Sequence, residues 1–180
     1  MDQSITQWVN GFAGTSVLLD WIMITASEYS VPLLILLVAV QWWSKRARHS
    51  IRHTCVAAGL SFLIGLAVNQ IILLFVHRIR PYDAGLTHLI ITRSGDWSFP
   101  SDHATASFAI VTTFLLRGVW RRGFFLLVGA IAVSLSRIYV GTHYASDVLG
   151  GAVTGAAAAV AVFLLYWEGT RVDRFIVGIL

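Results

Sequence analysis

Apolar runs that approach the length of a membrane-spanning helix constrain the fold of this chain more than any other feature. They lie approximately at residues 32–43, 55–76, 104–116, 124–137 and 146–167. A helix that crosses a bilayer needs about 20 mostly apolar residues. The sequence is 57% hydrophobic and only 12% charged, whereas a soluble domain is usually about one-quarter charged. The sequence therefore predicts an all-α fold, a polytopic membrane bundle of about five to six transmembrane helices.

The first 28 residues are less regular than the rest of the chain. Their apolar residues follow a rough helical spacing, which polar residues such as Asp20 and Glu28 interrupt. This pattern predicts one or two helices that lie at the membrane interface or pack on the outside of the bundle, with an additional span as the alternative. We expect a single domain over residues 1–180, in which residues 29–180 form the helical core.

The basic residues are distributed unevenly between the two membrane faces. Nine of the 13 lysines and arginines fall in the segments Lys45–Arg52, Arg117–Arg122 and Arg171–Arg174, which share one face if five spans alternate in direction. The positive-inside rule makes that face cytoplasmic. The net charge of +4 thus reflects orientation among membrane lipids and does not indicate binding of nucleic acid. A single cysteine, Cys55, excludes a disulfide framework and a cysteine metal site.

The opposite face carries ionisable residues that the orientation rule does not explain. They are Arg78, Arg80, Arg93, Arg137, His103, His143 and Asp147. Arginines on this face run against the usual charge bias, and binding of an anion accounts for them. The face that holds them is the candidate functional face, and the sequence gives no signal for an oligomeric state.

The segment from Ser136 to Asp147 carries the clearest chemistry on that face. His143 and Asp147 are four residues apart, so a helix that starts near Tyr144 places both on one side, where the carboxylate can hold one imidazole nitrogen. The other nitrogen is then free to attack. Arg137 can bind the anion under attack, because its planar fork of donors matches phosphate geometry. This is the outline of a nucleophilic histidine acting on a phosphate ester.

Two further segments complete the set. Pro100–Ala104 is a tight loop that opens onto a helix, where Ser101 can cap, the first N–H groups can cradle a phosphate, and His103 can protonate a departing oxygen. Taken alone, ordinary capping explains Ser101 and Asp102 equally well, and an interfacial histidine is the better explanation of His103. His77–Pro81 contains Arg78 and Arg80, a pattern also typical of basic side chains that reach from a helix end to the interface.

Taken together, the three segments supply what phosphoryl transfer needs. The reaction requires neutralisation of the phosphate charge, an in-line nucleophile and a proton for the leaving group. The arginines, the two histidines and the helix N-terminus match these requirements. The combination therefore favours a phosphate ester hydrolase.

The same motifs resemble those of the type-2 phosphatidic acid phosphatase superfamily. They are Arg80-Pro81, then Pro100-Ser101-Asp102-His103, then Ser136-Arg137 followed by His143 and Asp147. The resemblance runs from the second span to the start of the fifth. It implies a helical core, no metal and no cofactor, and a lipid phosphate as substrate. It also implies a site in which His143 forms a phosphohistidine, Asp147 orients it, His103 is the general acid, and Arg80, Ser101 and Arg137 bind phosphate.

Two positions depart from the common pattern of this family. Leu73 stands where the first motif usually has a lysine, and Arg78 is the candidate to replace that phosphate ligand. Asp102 stands where the second motif usually has glycine, and it is included in the candidate phosphate site with its role left open. The Pro-Ser-Asp-His version resembles the bacitracin-resistance subgroup, which hydrolyses undecaprenyl diphosphate at the outer side of the bacterial cytoplasmic membrane. The resemblance thus implies that location and that substrate.

Other functions remain open at this stage. A metal-dependent hydrolase would use His103, His143, Asp102 and Asp147 as ligands, but neighbouring arginines would repel the cation. An anion channel or transporter would use the basic cluster as a binding site, although no matching charges lie at mid-depth. Within the phosphatase reading, the alternatives to a polyprenyl diphosphate are phosphatidylglycerol phosphate, phosphatidate and a lipid A phosphate.

Overall fold

The protein is described here from a computed structural model, which covers residues 1–45 and 47–179 and contains only helices and loops over these residues. The α-helices are α1 (Asp2–Asn10), α2 (Val17–Val40), α3 (Arg48–Leu73), α4 (Asp102–Leu116), α5 (Trp120–Tyr139), α6 (Ala145–Leu165) and α7 (Arg171–Val177). A short 3-10 helix, Gln41–Trp43, extends α2. Arg46, part of one predicted basic cluster, and Leu180 lie outside the described residues. The predicted all-α class is confirmed.

Four helices of the described chain are long and apolar enough to cross a membrane. They are α2 with its 3-10 extension, α3, α5 and α6. The third predicted run, residues 104–116, forms α4, which has 15 residues and is therefore about 22 Å long. Its interior residues, such as Ala109 and Phe114, are fully buried, because α4 packs against α3, α5 and α6. The protein is a multi-pass membrane bundle with α4 at its centre.

The first span begins earlier than the sequence indicated. We expected it to start near Pro32, with residues 1–28 at the interface, but α2 runs from Val17 and contains Pro32 in its interior. Asp20 does not interrupt the helix because its carboxylate is satisfied, accepting hydrogen bonds from the Gly14 N–H at 3.0 Å and the Tyr139 hydroxyl at 2.7 Å. The separate N-terminal helix is therefore confined to α1.

Small residues allow α4 and α6 to pack closely, as the glycine and alanine pattern of the fifth run predicts. A Cβ atom on Gly151 would lie 2.4 Å from the Ser101 carbonyl oxygen, and one on Gly155 would lie 2.3 Å from that of Thr105. Larger residues at these two positions would push the helices apart. Close packing brings the N-terminus of α4 next to that of α6, where the second and third sequence motifs lie.

Helix α1 lies across this end of the bundle and fastens the loops. The Asn10 side-chain amide donates to the carbonyl oxygens of Tyr139 at 2.8 Å and His88 at 2.9 Å. The Asp2 carboxylate accepts from the Ser146 N–H at 2.9 Å at the start of α6. The N-terminal helix therefore holds the 74–101 loop against the ends of α5 and α6.

Helix α7 closes the opposite end of the bundle. Asp173 is fully buried and accepts hydrogen bonds from the Tyr166 hydroxyl at 2.6 Å and the Gly169 N–H at 2.7 Å. His53 of α3 lies 2.7 Å from the same carboxylate. These contacts tie α7 to the end of the bundle that carries the basic clusters, away from the candidate functional face.

Candidate active site

A cavity of about 80 Å³ lies at the α4 and α6 N-termini. Its walls combine candidate residues from all three sequence motifs with residues of the 74–101 loop. The lining residues are Leu73, Arg80, Ser94, Asp96, Pro100, Asp102, His103, Arg137 and His143. The structure thus brings two arginines and two histidines to one small cavity, and it places Leu73 in the wall where the family pattern has a lysine.

His143 sits in the loop between α5 and α6 and is almost fully buried. Its Nδ1 lies 2.8 Å from the backbone carbonyl oxygen of Ser98, so Nδ1 carries the proton and Nε2 is the unprotonated nitrogen, whose lone pair faces Nη1 of Arg80 at 3.3 Å. Burial, together with the Arg137 and Arg80 charges, lowers the pKa of His143 to about 4. A neutral imidazole with an unprotonated Nε2 is what a nucleophile at neutral pH requires.

Asp147 is fully buried in the first turn of α6. Its Oδ2 accepts from the Ser98 hydroxyl at 2.5 Å and the Tyr144 N–H at 2.9 Å. The distance from the same oxygen to His143 Nδ1 is 3.7 Å, which is beyond hydrogen-bonding distance. The sequence predicted that this carboxylate holds the imidazole, whereas in the structure the Ser98 carbonyl makes the direct bond and Asp147 lies behind it.

Arg80 extends across the cavity and is only 5% exposed. Its Nη1 donates to the Thr142 carbonyl oxygen at 3.0 Å and lies 3.3 Å from Nε2 of His143. Its Nε and Nη2 donate to the backbone carbonyl and the carboxylate of Asp96, at 2.9 and 2.6 Å. The guanidinium is therefore next to the candidate nucleophile but is largely engaged by protein atoms.

Arg137 comes from the last turn of α5 and is buried. Its Nη1 donates to the Ser27 hydroxyl of α2 at 2.5 Å, while its Nε has no hydrogen-bond partner among the described residues. A buried N–H without an acceptor is unfavourable, and an anion in the cavity would supply one. Of the two guanidinium groups that line the cavity, Arg137 is the less occupied.

The N-terminus of α4 forms the remaining wall. His103 and Asp102 line the cavity, and Asp102 accepts from the Asn69 amide at 2.7 Å. Ser101 is the N-cap residue but makes no side-chain capping bond, and its buried hydroxyl has no partner in the described part of the chain. The predicted capping role of Ser101 is therefore wrong, and Ser101, next to Pro100 and Asp102 of the wall, is not itself a lining residue of the cavity.

Arg78 lies behind the cavity and is absent from its lining. Its Nη1 donates to Asp147 Oδ1 and to the Ser146 hydroxyl, both at 2.6 Å. Its Nη2 donates to the Asp2 carboxylate at 2.6 Å, and the guanidinium lies 3.9 Å from the centre of the Tyr144 ring. The structure thus places Arg78 as an ion-pair partner of Asp147, away from the position of the missing lysine.

The cavity combines an activated imidazole, two guanidinium groups and a helix N-terminus. Helix N-termini and arginines both favour bound phosphate, and the free imidazole nitrogen faces the same space. These features, on a helical membrane bundle, define a membrane phosphatase.

Comparison with known proteins identifies the family. The profile of the PAP2 superfamily matches residues 54–171, and the chain belongs to this superfamily. It is 33% identical to undecaprenyl-diphosphatase BcrC of Bacillus subtilis over 85% of this chain and 78% of that protein. It is 29% identical to the bacitracin transport permease protein BcrC of Bacillus licheniformis, over 87% of this chain and 76% of that one.

A solved structure shows the same fold. The PAP2-type phosphatidylglycerolphosphate phosphatase from Bacillus subtilis superimposes with a TM-score of 0.69 at 20% identity, covering 94% of this chain and 86% of that one. At this level of identity the likeness concerns the arrangement of helices. The suspected family and the membrane phosphatase class are both confirmed.

Proposed function

We propose that the chain hydrolyses undecaprenyl diphosphate to undecaprenyl phosphate and inorganic phosphate, with His143 as the nucleophile. The observation that carries the proposal is the buried His143, whose Nδ1 is fixed by the Ser98 carbonyl so that Nε2 faces the cavity with Arg80 and Arg137. The identity to a protein named undecaprenyl-diphosphatase supports the substrate.

The reaction proceeds in two steps. Nε2 of His143 forms a bond to the terminal phosphorus while the bond from that phosphorus to the bridging oxygen breaks, and the electron pair leaves with undecaprenyl phosphate. Water then attacks the phosphohistidine, the P–N bond breaks, its electrons return to the imidazole, and inorganic phosphate leaves. In this proposal His103 gives a proton to the bridging oxygen and takes one from the attacking water.

The phosphate oxygens are held by Arg137, Arg80, the Ser101 hydroxyl and the first N–H groups of α4. Asp147 and Arg78 position His143 from behind and do not touch the substrate. Asp102, whose carboxylate is held by Asn69, forms part of the wall. The leaving group of a diphosphate is itself a phosphate of low basicity, so its departure depends less on His103 than that of an alkoxide would.

Two apolar pockets follow one another from the cavity along α2 and α3, and together, as the apolar groove, they support a substrate with a long hydrocarbon chain. Next to Asp102 and His103, the groove is lined by Val31, Phe62, Leu66 and Ala106. It continues past Phe62 between α2 and α3, along Ile35, Ala39, Trp42, Cys55 and Gly59. From Val31 to Trp42 the path along α2 is about 16 Å long. A single, unbranched groove suits a substrate with one hydrocarbon chain.

Filling the groove is expected to weaken binding of the long-chain substrate. Gly59 lines the groove and a Cβ atom there would meet nothing within 4 Å, so Gly59→Phe adds a large side chain at the groove without a clash at its first atom. We expect KM for undecaprenyl diphosphate to rise about 30-fold, since excluding two or three methylene groups removes about 2 kcal/mol of contact. Leu63→Phe, on the lipid-facing side of the same helix, is the matched control. An unchanged KM in Gly59→Phe would rule out this groove.

A substrate comparison with purified protein tests the proposed function. Undecaprenyl diphosphate, phosphatidylglycerol phosphate, phosphatidate and a lipid A phosphate are compared in one detergent. We expect the highest kcat/KM for undecaprenyl diphosphate, inhibition by vanadate and full activity in EDTA. Better turnover of phosphatidylglycerol phosphate would contradict the proposed substrate but not the proposed attack by His143. Absence of hydrolysis, combined with phosphate-lipid transport in vesicles, would favour a transporter instead.

The proposed location is the bacterial cytoplasmic membrane, with the cavity at the outer face. The support is the charge distribution, because the basic clusters lie at the end of the bundle away from the cavity. We expect a cysteine introduced at Gly95, in the cavity loop, to react with an impermeant maleimide in intact cells. A cysteine at Glu168, at the opposite end, should react only after the cells are broken. The reverse labelling pattern would show that the proposed orientation is wrong and that the cavity faces the cytoplasm.

A further inference from the structure

The loop that covers the cavity carries a carboxylate in a position where an anionic substrate would be repelled. Asp96 lines the cavity with Arg80, Arg137 and His143, and its side chain is 50% exposed. Partial burial raises the pKa of Asp96, but hydrogen bonds from Ser94 and Arg80 outweigh this effect and hold the pKa below its usual value. The group is therefore a carboxylate anion at neutral pH, next to the place assigned to the phosphate.

The contacts of Asp96 resemble those that a phosphate would make. Its Oδ1 accepts from Nη2 of Arg80 at 2.6 Å and from the Ser94 hydroxyl at 2.5 Å, and its backbone carbonyl accepts from Arg80 Nε at 2.9 Å. A guanidinium binds oxyanions through this Nε and Nη2 edge, with two parallel N–H donors. The edge of Arg80 best suited to a phosphate is thus occupied by Asp96.

The other donors of Arg80 offer no equivalent place. Nη1 is directed to the Thr142 carbonyl oxygen and toward His143 Nε2, the side on which the nucleophile must approach. A phosphate held by Arg80 in front of His143 would therefore have to take over the position of the Asp96 carboxylate.

Asp96 is placed where such an exchange needs little movement of the fold. The chain is fastened on either side of it, by the Tyr82 hydroxyl, which donates to the Ser94 carbonyl at 2.9 Å, and by the Ser98 N–H, which donates to the Arg78 carbonyl at 2.8 Å. Between these points the side chain of Asp96 borders solvent, and a Cβ atom on neighbouring Gly95 would meet nothing within 4 Å. The carboxylate can therefore leave Arg80 by local rotation.

We propose that Asp96 is an internal competitor for phosphate: its carboxylate occupies the Nη2 side of the oxyanion edge of Arg80, the substrate phosphate displaces the carboxylate there, and its return expels inorganic phosphate after hydrolysis. This inference rests on the proposed function for its substrate, but binding of inorganic phosphate alone tests it. Competition by an internal group lowers the apparent affinity by the fraction of protein in which the site is free.

The experiment compares Asp96→Asn with Asp83→Asn. Asp83 is an acid of the same loop, paired with Arg93 at 2.5 Å in an exposed position, so its replacement changes the net charge equally without altering the cavity. Binding of inorganic phosphate and inhibition by vanadate are measured on purified protein in detergent. Asp96→Asn should bind both at least about fivefold more tightly than wild type, and its product release should slow. Asp83→Asn should match wild type.

The direction in which Asp96→Asn changes phosphate affinity distinguishes competition by Asp96 from alignment of Arg80. If Asp96 serves only to align Arg80, Asp96→Asn will bind phosphate more weakly than wild type, and either that result or an unchanged affinity would overturn the proposal. Asp96→Ala, which removes every side-chain acceptor at an exposed position, should give the same tightening as Asp96→Asn. If the wild-type protein binds phosphate but hydrolyses no lipid, the proposed function is wrong. The comparison of phosphate affinity between Asp96→Asn and wild type still tests the competition by Asp96.

Discussion

Replacing His143 by alanine is expected to abolish turnover, with kcat lowered on the order of 10⁴-fold or more. The imidazole is the group whose free nitrogen faces the cavity between Arg80 and Arg137, and alanine cannot form the covalent intermediate. Phosphate binding should persist, because the arginines and the α4 N-terminus remain. Hydrolysis of undecaprenyl diphosphate and binding of inorganic phosphate, measured on the same preparation, separate loss of chemistry from loss of fold.

The matched control is His88→Ala. His88 lies in the loop on the same face, and the contacts that hold it to Asn10 use its backbone N–H and carbonyl, so loss of its side chain should change kcat less than twofold. A His143→Ala protein that keeps even a tenth of wild-type activity would exclude His143 as the nucleophile. Direct attack of water on the phosphorus would then be the better mechanism.

Replacing Arg137 by glutamine is expected to lower kcat/KM by about 10²–10³-fold. The Arg137 guanidinium is buried at the cavity, its Nε lacks an acceptor within the described residues, and its one hydrogen bond there is to Ser27. It is therefore the donor group most available to the phosphate in both the ground state and the transition state. Vanadate should lose affinity in parallel, since it mimics the pentacoordinate phosphorus.

Arg93→Gln is the control for charge. Arg93 lies on the same face and is 69% exposed, paired with Asp83, so its removal changes the net charge equally but takes no donor from the cavity. We expect less than a twofold effect on kcat/KM. Equal losses in Arg137→Gln and Arg93→Gln would mean that the arginines act through the general surface charge and that no specific phosphate contact exists.

The motifs that meet at the cavity could be recognised in the sequence because they consist of side chains at fixed local spacing. The six-residue interval from Arg137 to His143 spans the turn after α5, and the start of α6 at Ala145 is where the His143 and Asp147 spacing placed it. Close packing of α4 on α6 followed from Gly151 and Gly155. These features depend on periodicity and residue size, which a sequence displays directly.

Other features depend on contacts between distant segments and had no signal in the sequence. The acceptor for His143 Nδ1 is the backbone carbonyl of Ser98, which any residue would supply. Arg78 was expected to replace the lysine missing at Leu73, yet its partners are Asp147 and Asp2, and Asp2 lies 76 residues away along the chain. Asp96 belongs to none of the three sequence motifs, because only the fold brings its loop over Arg80.

The spacing of apolar residues also did not predict the helix boundaries near the N-terminus. Asp20 and Pro32 both signal interruption in isolation, but a carboxylate satisfied by Gly14 and Tyr139 is compatible with a continuous α2. The difference matters for function, since α2 supplies Ser27 to Arg137 and one wall of the apolar groove.

Phosphorylation of His143 during turnover is tested most directly by oxygen exchange between inorganic phosphate and water. A protein that forms a phosphohistidine from phosphate alone releases one phosphate oxygen as water each time and takes up another on hydrolysis. Purified protein incubated with ¹⁸O-labelled inorganic phosphate should therefore lose label progressively, as seen by mass spectrometry, and His143→Ala should retain it. Wild-type protein that hydrolyses its lipid substrate but leaves the label untouched, or His143→Ala protein that exchanges at the wild-type rate, would contradict the account.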